Sequence, residues 1–454
     1  MSAYLNGIDK TENSSVSPSN TIQPGLHADV DENYLLKRGI WLYFFLLIFE
    51  GALRKWFLPG LSNVLLVVRD PIAVWLVYSA WKKNLFPSTI YLSGMVIVGM
   101  VSIYLALFVG HGNLIVAIYG ARILILHFPL IFVIGRVFSH EDVLKVGKMM
   151  LWMSIPMVIL IGLQFHSPQS AWVNRGIGGD VNGAGFSGTK DYFRPPGTFA
   201  FTVGTSLFFG FLAPFIFYFW VSTYKINRWL LLAASVALIA AIPFSISRTL
   251  LFEVVITFVF TIIGLLRRPE YIGKILISIF LGLIVLAFFS QAKFFKAATG
   301  AFAERFTSAN ADEGGLVKGV LGDRFFGGLL GALEKSSKQP FFGKGIGMGT
   351  NVGSQLLTGK RLFLIDELEW GRLIGELGPL FGIIVIILRV GLALKLTADC
   401  YRNMIKDDIL PLLLLSFGFV PLIQGQWASP TVLGFSIMIG GLIVASFRNT
   451  EMAS

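Results

Sequence analysis

The chain has little charge and almost no cysteine. Asp, Glu, Lys and Arg make up 14% of its 454 residues, against roughly 25% in an average soluble domain. That shortage excludes a water-soluble enzyme, a disordered chain and a long polar coiled coil. The single cysteine, Cys400, excludes an internal disulfide framework and a zinc site built on paired thiolates. The five histidines, His27, His111, His127, His140 and His166, show no His-x-x-x-His spacing, so a dedicated transition-metal site is not expected; nor is any cofactor. The first 38 residues lack the short apolar core and small-residue cleavage site of a signal peptide. They read as a polar tail that stays on the cytoplasmic side.

What the chain has in abundance is apolar length. Hydrophobic residues reach 55%, and mean hydropathy is +0.72. The expected fold is therefore all-α, a polytopic membrane protein. Runs near the roughly 20 residues needed to cross a bilayer fall at 39–57, 62–81, 89–109, 114–136, 149–165, 199–221, 228–246, 249–266, 272–290, 370–390, 409–425 and 431–447. The organisation expected is a cytoplasmic tail over 1–38, a membrane domain over 39–447 with external loops at 166–198 and 291–369, and a short cytoplasmic tail over 448–454.

Basic residues orient these twelve spans, because cytoplasmic loops keep an excess of Lys and Arg. With both termini inside, the inner segments hold 18 of the 37 basic residues, Arg389 and Arg402 among them, and the short outer segments hold six. The net charge of +11 is then mostly a topology signal and asks for no nucleic-acid partner. Two outer loops stand apart. One carries a Gly- and Asn-rich stretch, 174–188, and ends in Arg194-Pro195-Pro196-Gly197-Thr198-Phe199. The other, 291–369, is basic and interleaved with Phe294-Phe295, Phe325-Phe326 and Phe341-Phe342; this suggests short amphipathic helices on the outer membrane surface, or else a solvated loop.

Ionisable residues at membrane depth are costly and so are functional suspects: Glu50, Arg69, Asp70, Arg122, His127, Glu253, Arg372 and Glu376. Glu50 and Arg54 have the spacing of a pair on one helix face. Arg69 and Asp70 point to different sides and must find partners on other spans. Arg122 either faces a cavity or ties helices together.

Three features converge on the outer face: Arg194, Arg248 in Ser245-Ile246-Ser247-Arg248, and Asp366-Glu367-Leu368-Glu369. Guanidinium groups suit a diphosphate because they are always charged and present forked donors. A positioned carboxylate suits removal of a proton from an acceptor hydroxyl. Together they supply what glycosyl transfer from a lipid diphosphate requires, with Glu367, Arg194 and Arg248 in catalytic roles and Arg122, Arg175, Arg305, Arg324 and Lys344 as further substrate contacts. The plain alternative is that Asp366 and Glu369 cap a helix, with Glu369, Arg372 and Glu376 pairing along one face.

Arg194-x-x-Gly197-Thr198-Phe199, Ser247-Arg248, the run Gly343-Lys344-Gly345-Ile346-Gly347-Met348-Gly349 and Leu373-Ile374-Gly375-Glu376-Leu377-Gly378-Pro379-Leu380-Phe381-Gly382 resemble the recurrent motifs of the O-antigen ligase and O-antigen polymerase superfamily. The resemblance covers about residues 190–385, and the first five spans by topology only. Where that family often has a histidine, nine residues before the Glu of the closing motif, this chain has Glu367.

The resemblance implies a metal-independent, inverting membrane glycosyltransferase of the bacterial inner membrane, active in surface-polysaccharide or exopolysaccharide biosynthesis at the cell envelope. It would move a glycan from an undecaprenyl-diphosphate carrier to a sugar hydroxyl, beside other polysaccharide assembly proteins. Arg194 and Arg248 would bind the diphosphate and Glu367 would act as base. The alternatives are a transporter or flippase of lipid-linked glycans and a non-catalytic component of a polysaccharide assembly complex.

Overall fold

The computed structural model describes residues 33–189, 192–266, 273, 292–312, 331–332, 334, 339–360 and 362–448. The ninth sequence-read span, 272–290, lies outside the described residues save Gly273. So do Phe325-Phe326, Arg324 and nearly all of the N-terminal tail.

Among the described residues the architecture is helical, with one two-stranded hairpin. The helices are α1 Tyr34–Ala52, α2 Ser62–Leu65, α3 Asp70–Lys82, α4 Ile90–Phe108, α5 Leu114–Arg122, α6 Leu130–Val137, α7 His140–His166, α8 Val203–Val221, α9 Arg228–Phe244, α10 Arg248–Leu265, α11 Lys293–Asp312, α12 Asn351–Thr358, α13 Glu369–Ile405, α14 Leu410–Gln424 and α15 Pro430–Ser446. Seven helical stretches are long and apolar enough to cross a membrane, and α9, α14 and α15 are shorter apolar helices. The chain is an all-α protein of membrane type.

Polar residues punctuate the apolar runs. Thr89, Asn113, Asn227 and Ser247 accept hydrogen bonds from backbone N–H groups in the first turns of α4, α5, α9 and α10. Ser139 and Asp142 close a reciprocal capping box on α7. These caps fill donors that a helix start leaves empty. Interior prolines, such as Pro156, Pro214 and Pro421, are tolerated because neighbouring helices satisfy the freed groups.

The core centres on α8. Phe208, Phe209, Phe211, Phe215 and Phe219 are all buried on this one helix, which packs against α7, α9, α10, α14 and α15. Small residues bring backbones close where apolar area gives no driving force: Gly135 of α6 lies under Val444, and Gly441 of α15 under Ile134.

α13 departs from the sequence expectation of one span over 370–390. Gly378 has φ 76° and ψ 170°, values no helix holds, with Pro379 next. Arg389 Nη1 nevertheless donates to Glu369 Oε1 at 2.6 Å, although 20 residues of straight helix would separate the two by about 30 Å. The chain folds back at Gly378, and a short arm, 369–377, lies against the long arm, 379–405. Arg389, counted above among inner-face basic residues, is 1% exposed and ion-paired.

The hairpin lies in the 166–198 loop. β1 Phe186–Ser187 and β2 Phe193–Arg194 are antiparallel, with Phe186 opposite Arg194. Of the phenylalanine pairs, Phe294 and Phe295 begin α11, where Phe295 meets Phe244 edge-on at 5.3 Å and Phe294 lies 4.0 Å from the His166 ring. Phe341-Phe342 falls in a turn rather than a helix.

Candidate functional site

Arg194 is carried by a strap, 194–199, pinned at nearly every residue. Thr205 donates to the Pro195 carbonyl at 3.1 Å. The Gln164 amide accepts from Gly197 N at 2.8 Å and donates to Gly197 O at 3.2 Å. Lys55 Nζ donates to the same carbonyl at 2.7 Å. Thr198 donates to Ile48 O at 2.7 Å, and a side chain at Gly51 would collide with the strap backbone there. Lys55 and Gln164 were not among the sequence candidates; the signal available was a lysine near the end of an apolar run and an amide at the end of another.

Beside the strap lies the α9–α10 turn. Arg194 Nε donates to Ser245 O at 3.4 Å. Ser247 caps α10 and accepts from Ser206 at 2.8 Å. Between them Ile246 has φ 46°, a region a β-branched residue adopts only under constraint. The turn therefore holds Arg248 in a backbone geometry that the surrounding contacts enforce.

Arg194, Arg248 and Arg305 come together here. Burial lowers the affinity of the Arg194 guanidinium for its proton, and the charges of Arg305 and Arg248 lower it further. Both charges acting on Arg194 thus have its own sign. Like charges gathered in a partly buried place cost energy unless an anion balances them. Their forked donors match a phosphate or diphosphate.

The other sequence candidates lie elsewhere. Arg122 donates through Nη1 to both oxygens of Asp70 and through Nε to Tyr119 O. Asp70 also meets His127 Nε2 at 3.0 Å, whose Nδ1 lies 3.1 Å from Tyr43 OH. Glu50 pairs with Arg54 at 3.0 Å and Arg69 at 3.3 Å. Arg122 therefore ties helices together in an internal polar network. Arg175, in the 166–189 loop, is half-buried, and its Nε has no hydrogen-bond partner among the described residues.

The glycine run and the closing motif form one unit. Lys344 N donates to Gly375 O at 2.9 Å, Gly345 N to Glu376 O at 3.0 Å and Gly349 N to Glu376 Oε1 at 2.7 Å. The run thus satisfies carbonyls that the short arm of α13 leaves open at its end. The Lys344 side chain is exposed. Within the arm, Arg372 donates to both oxygens of Glu369 at 2.9 Å and to Glu376 at 2.6 Å. Arg389 completes a quartet of two acids and two bases, stacked over Trp427 at 3.7 Å.

Glu367 precedes this arm and is exposed. Its backbone carbonyl accepts from Gln426 at 2.8 Å, and its carboxylate makes no ion pair among the described residues. The capping role expected of Asp366 is corrected: Leu368 is the N-cap residue, and Asp366 instead accepts from Leu368 N at 2.9 Å in the preceding turn. Glu369 stands in the first turn of α13, as expected, and there also holds the two arginines of the buried quartet.

Among the described residues there is no group of three His, Cys, Asp or Glu placed to hold a metal ion. Comparison of the chain with protein-family models and with curated proteins gave no match.

Proposed function

We propose that this protein is a membrane-embedded glycosyltransferase of the O-antigen ligase and polymerase type. It takes a glycan from an undecaprenyl-diphosphate-linked donor and passes it to a sugar hydroxyl at the outer face of a bacterial inner membrane. The observation that carries this reading is the meeting of Arg194, Arg248 and Arg305 from three separate segments. Their common charge suits the leaving diphosphate, whose developing charge fixed guanidinium donors stabilise. Glu367, exposed and without an ion pair among the described residues, is the base in this reading, and Arg175, Lys344 and Arg324 are further donor contacts.

The topology belongs to the same proposal. Ten of the spans read from the sequence have an apolar helix at their place, α1 included; the ninth lies outside the described residues and the tenth is divided by the reversal at Gly378. Twelve spans with cytoplasmic termini put the arginine group and the 291–369 loop outside. Ser187 stands exposed on the hairpin, so Ser187→Cys should react with an impermeant thiol reagent added from outside.

The test is reconstitution with a lipid-diphosphate-linked oligosaccharide and an acceptor glycan. Release of the polyprenyl diphosphate together with a longer or newly attached glycan is expected. A donor that binds no tighter to the protein than to one with all three arginines replaced would overturn the reading.

A further inference from the structure

One intramembrane acid takes no part in the arginine group, the internal network or the quartet. Glu253 lies in α10, five residues beyond Arg248. Its Oε2 is closed off from solvent and has no hydrogen-bond partner among the described residues. The surrounding helices explain this isolation. α14 carries no ionisable residue, α8 carries Tyr218 alone and α9 carries Arg228 alone, both toward their ends remote from Glu253. α11, which meets α10 where Phe306 lies 6.5 Å from Phe252, brings Glu304 and Arg305, and no charge among these is near enough to act on the Glu253 carboxyl.

The packing keeps a place for that carboxyl. Gly210 of α8 faces it, and a Cβ there would collide with Oε2. Farther along α10 the same face continues in Thr257 and Thr261, both fully buried. Each donates to the carbonyl four residues back, at 2.8 and 2.7 Å, and Ser416 of α14 donates to Thr257 Oγ1 at 2.9 Å. One turn beyond, Gly264 and Leu265 line a cavity of about 140 Å³ with Tyr218, Ser222, Asp407 and Asp408. Burial pushes the Asp408 carboxyl up, against the opposing influence of His140.

We propose that Glu253 is an intramembrane proton-binding site, held as the neutral acid and loaded from the Asp407–Asp408 cavity along the Thr257–Thr261 face. An unpaired carboxylate at this place would be an uncompensated charge in apolar surroundings; the proton added at the carboxyl removes it, and no other bond changes. From Glu253 to Gly264 the helix rises about 16 Å, and the two hydroxyls divide that path into steps of about 6 Å, a span that one bridging water covers. This inference does not rest on the glycosyltransferase reading.

The probe is dicyclohexylcarbodiimide, an apolar reagent that forms a stable adduct with a protonated carboxyl. Wild-type protein in oriented proteoliposomes is treated while the pH on one side at a time is varied between about 6 and about 10, and the adduct is located by peptide mass spectrometry. The expected result is an adduct on Glu253, lost in Glu253→Gln, whose yield falls at least about tenfold when pH rises on the Asp408 side and is indifferent to the Arg248 side. Labelling of the folded wild type makes the outcome independent of any folding defect in the variant. No adduct, an adduct insensitive to pH on both sides, or one that follows pH on the Arg248 side would overturn the proposal and leave Thr257, Thr261 and Ser416 as helix-packing residues.

Discussion

Arg389 donates to Glu369 across the reversal at Gly378, so an ion pair 20 residues apart in sequence closes a hairpin of helix arms. Glu369 also holds Arg372, and Arg372 holds Glu376. Two positive and two negative groups balance, and the donors of Arg389 are completed by the carbonyls of Leu422 and Gly425 at 2.9 Å. A buried set of this kind is costly to break from one side.

Arg389→Leu should therefore destabilise the folded protein by about 3 to 5 kcal/mol, because it leaves the quartet with one excess buried carboxylate. Thermal unfolding in detergent measures this. The double variant Arg389→Leu with Glu369→Gln should recover part of the loss; equal or greater damage in the double variant would mean that the pair contributes only packing.

Gly378→Ala tests the reversal. Its φ of 76° and the adjacent Phe341 carbonyl leave no space for a Cβ. The expected cost is about 1 to 3 kcal/mol of strain at the least, together with faster proteolysis in the 340–377 region, where the glycine run caps the short arm. An unchanged melting temperature and cleavage pattern would argue against the fold-back.

The arginine group should show opposite effects on stability and activity. Arg305→Gln removes a like charge that acts on Arg194, so folding stability should stay level or rise slightly, by up to about 1 kcal/mol given partial exposure. Donor binding should nevertheless weaken at least about tenfold, and Arg194→Lys and Arg248→Lys should do the same, since lysine offers no planar fork. A structural group would lose stability and activity together.

Glu367 and Glu369 should separate cleanly. Glu367 is exposed and pairs with no base among the described residues, whereas Glu369 is 2% exposed and holds two arginines. Glu367→Gln should leave melting unchanged and nearly abolish turnover while donor binding persists. Glu369→Gln should lower stability first. Wild-type turnover in Glu367→Gln would remove it as the base.

Membrane type, helix positions and the spacing of pairs such as Glu50 with Arg54 and Arg372 with Glu376 were legible in the sequence. Hydropathy and the period of a helix are local properties, and a residue four positions on is a neighbour whatever the rest of the chain does. Arg194 and Arg248 were also legible as candidates, because fixed cations beside turns are visible in a linear chain.

The partners of Asp70, the burial of Arg389, the role of Gln164 and Lys55 in seating the strap, and the union of the glycine run with the closing motif were decided by tertiary structure alone. Each depends on contacts between segments 27 to more than 100 residues apart or on a backbone reversal. In the sequence Gly378-Pro379 interrupts a continuous apolar run, which reads as readily as a kink within one span as it does as a reversal. Only the packing of the two arms, with the Phe341 carbonyl against Gly378 and Glu369 against Arg389, makes the left-handed conformation at that glycine the stable one.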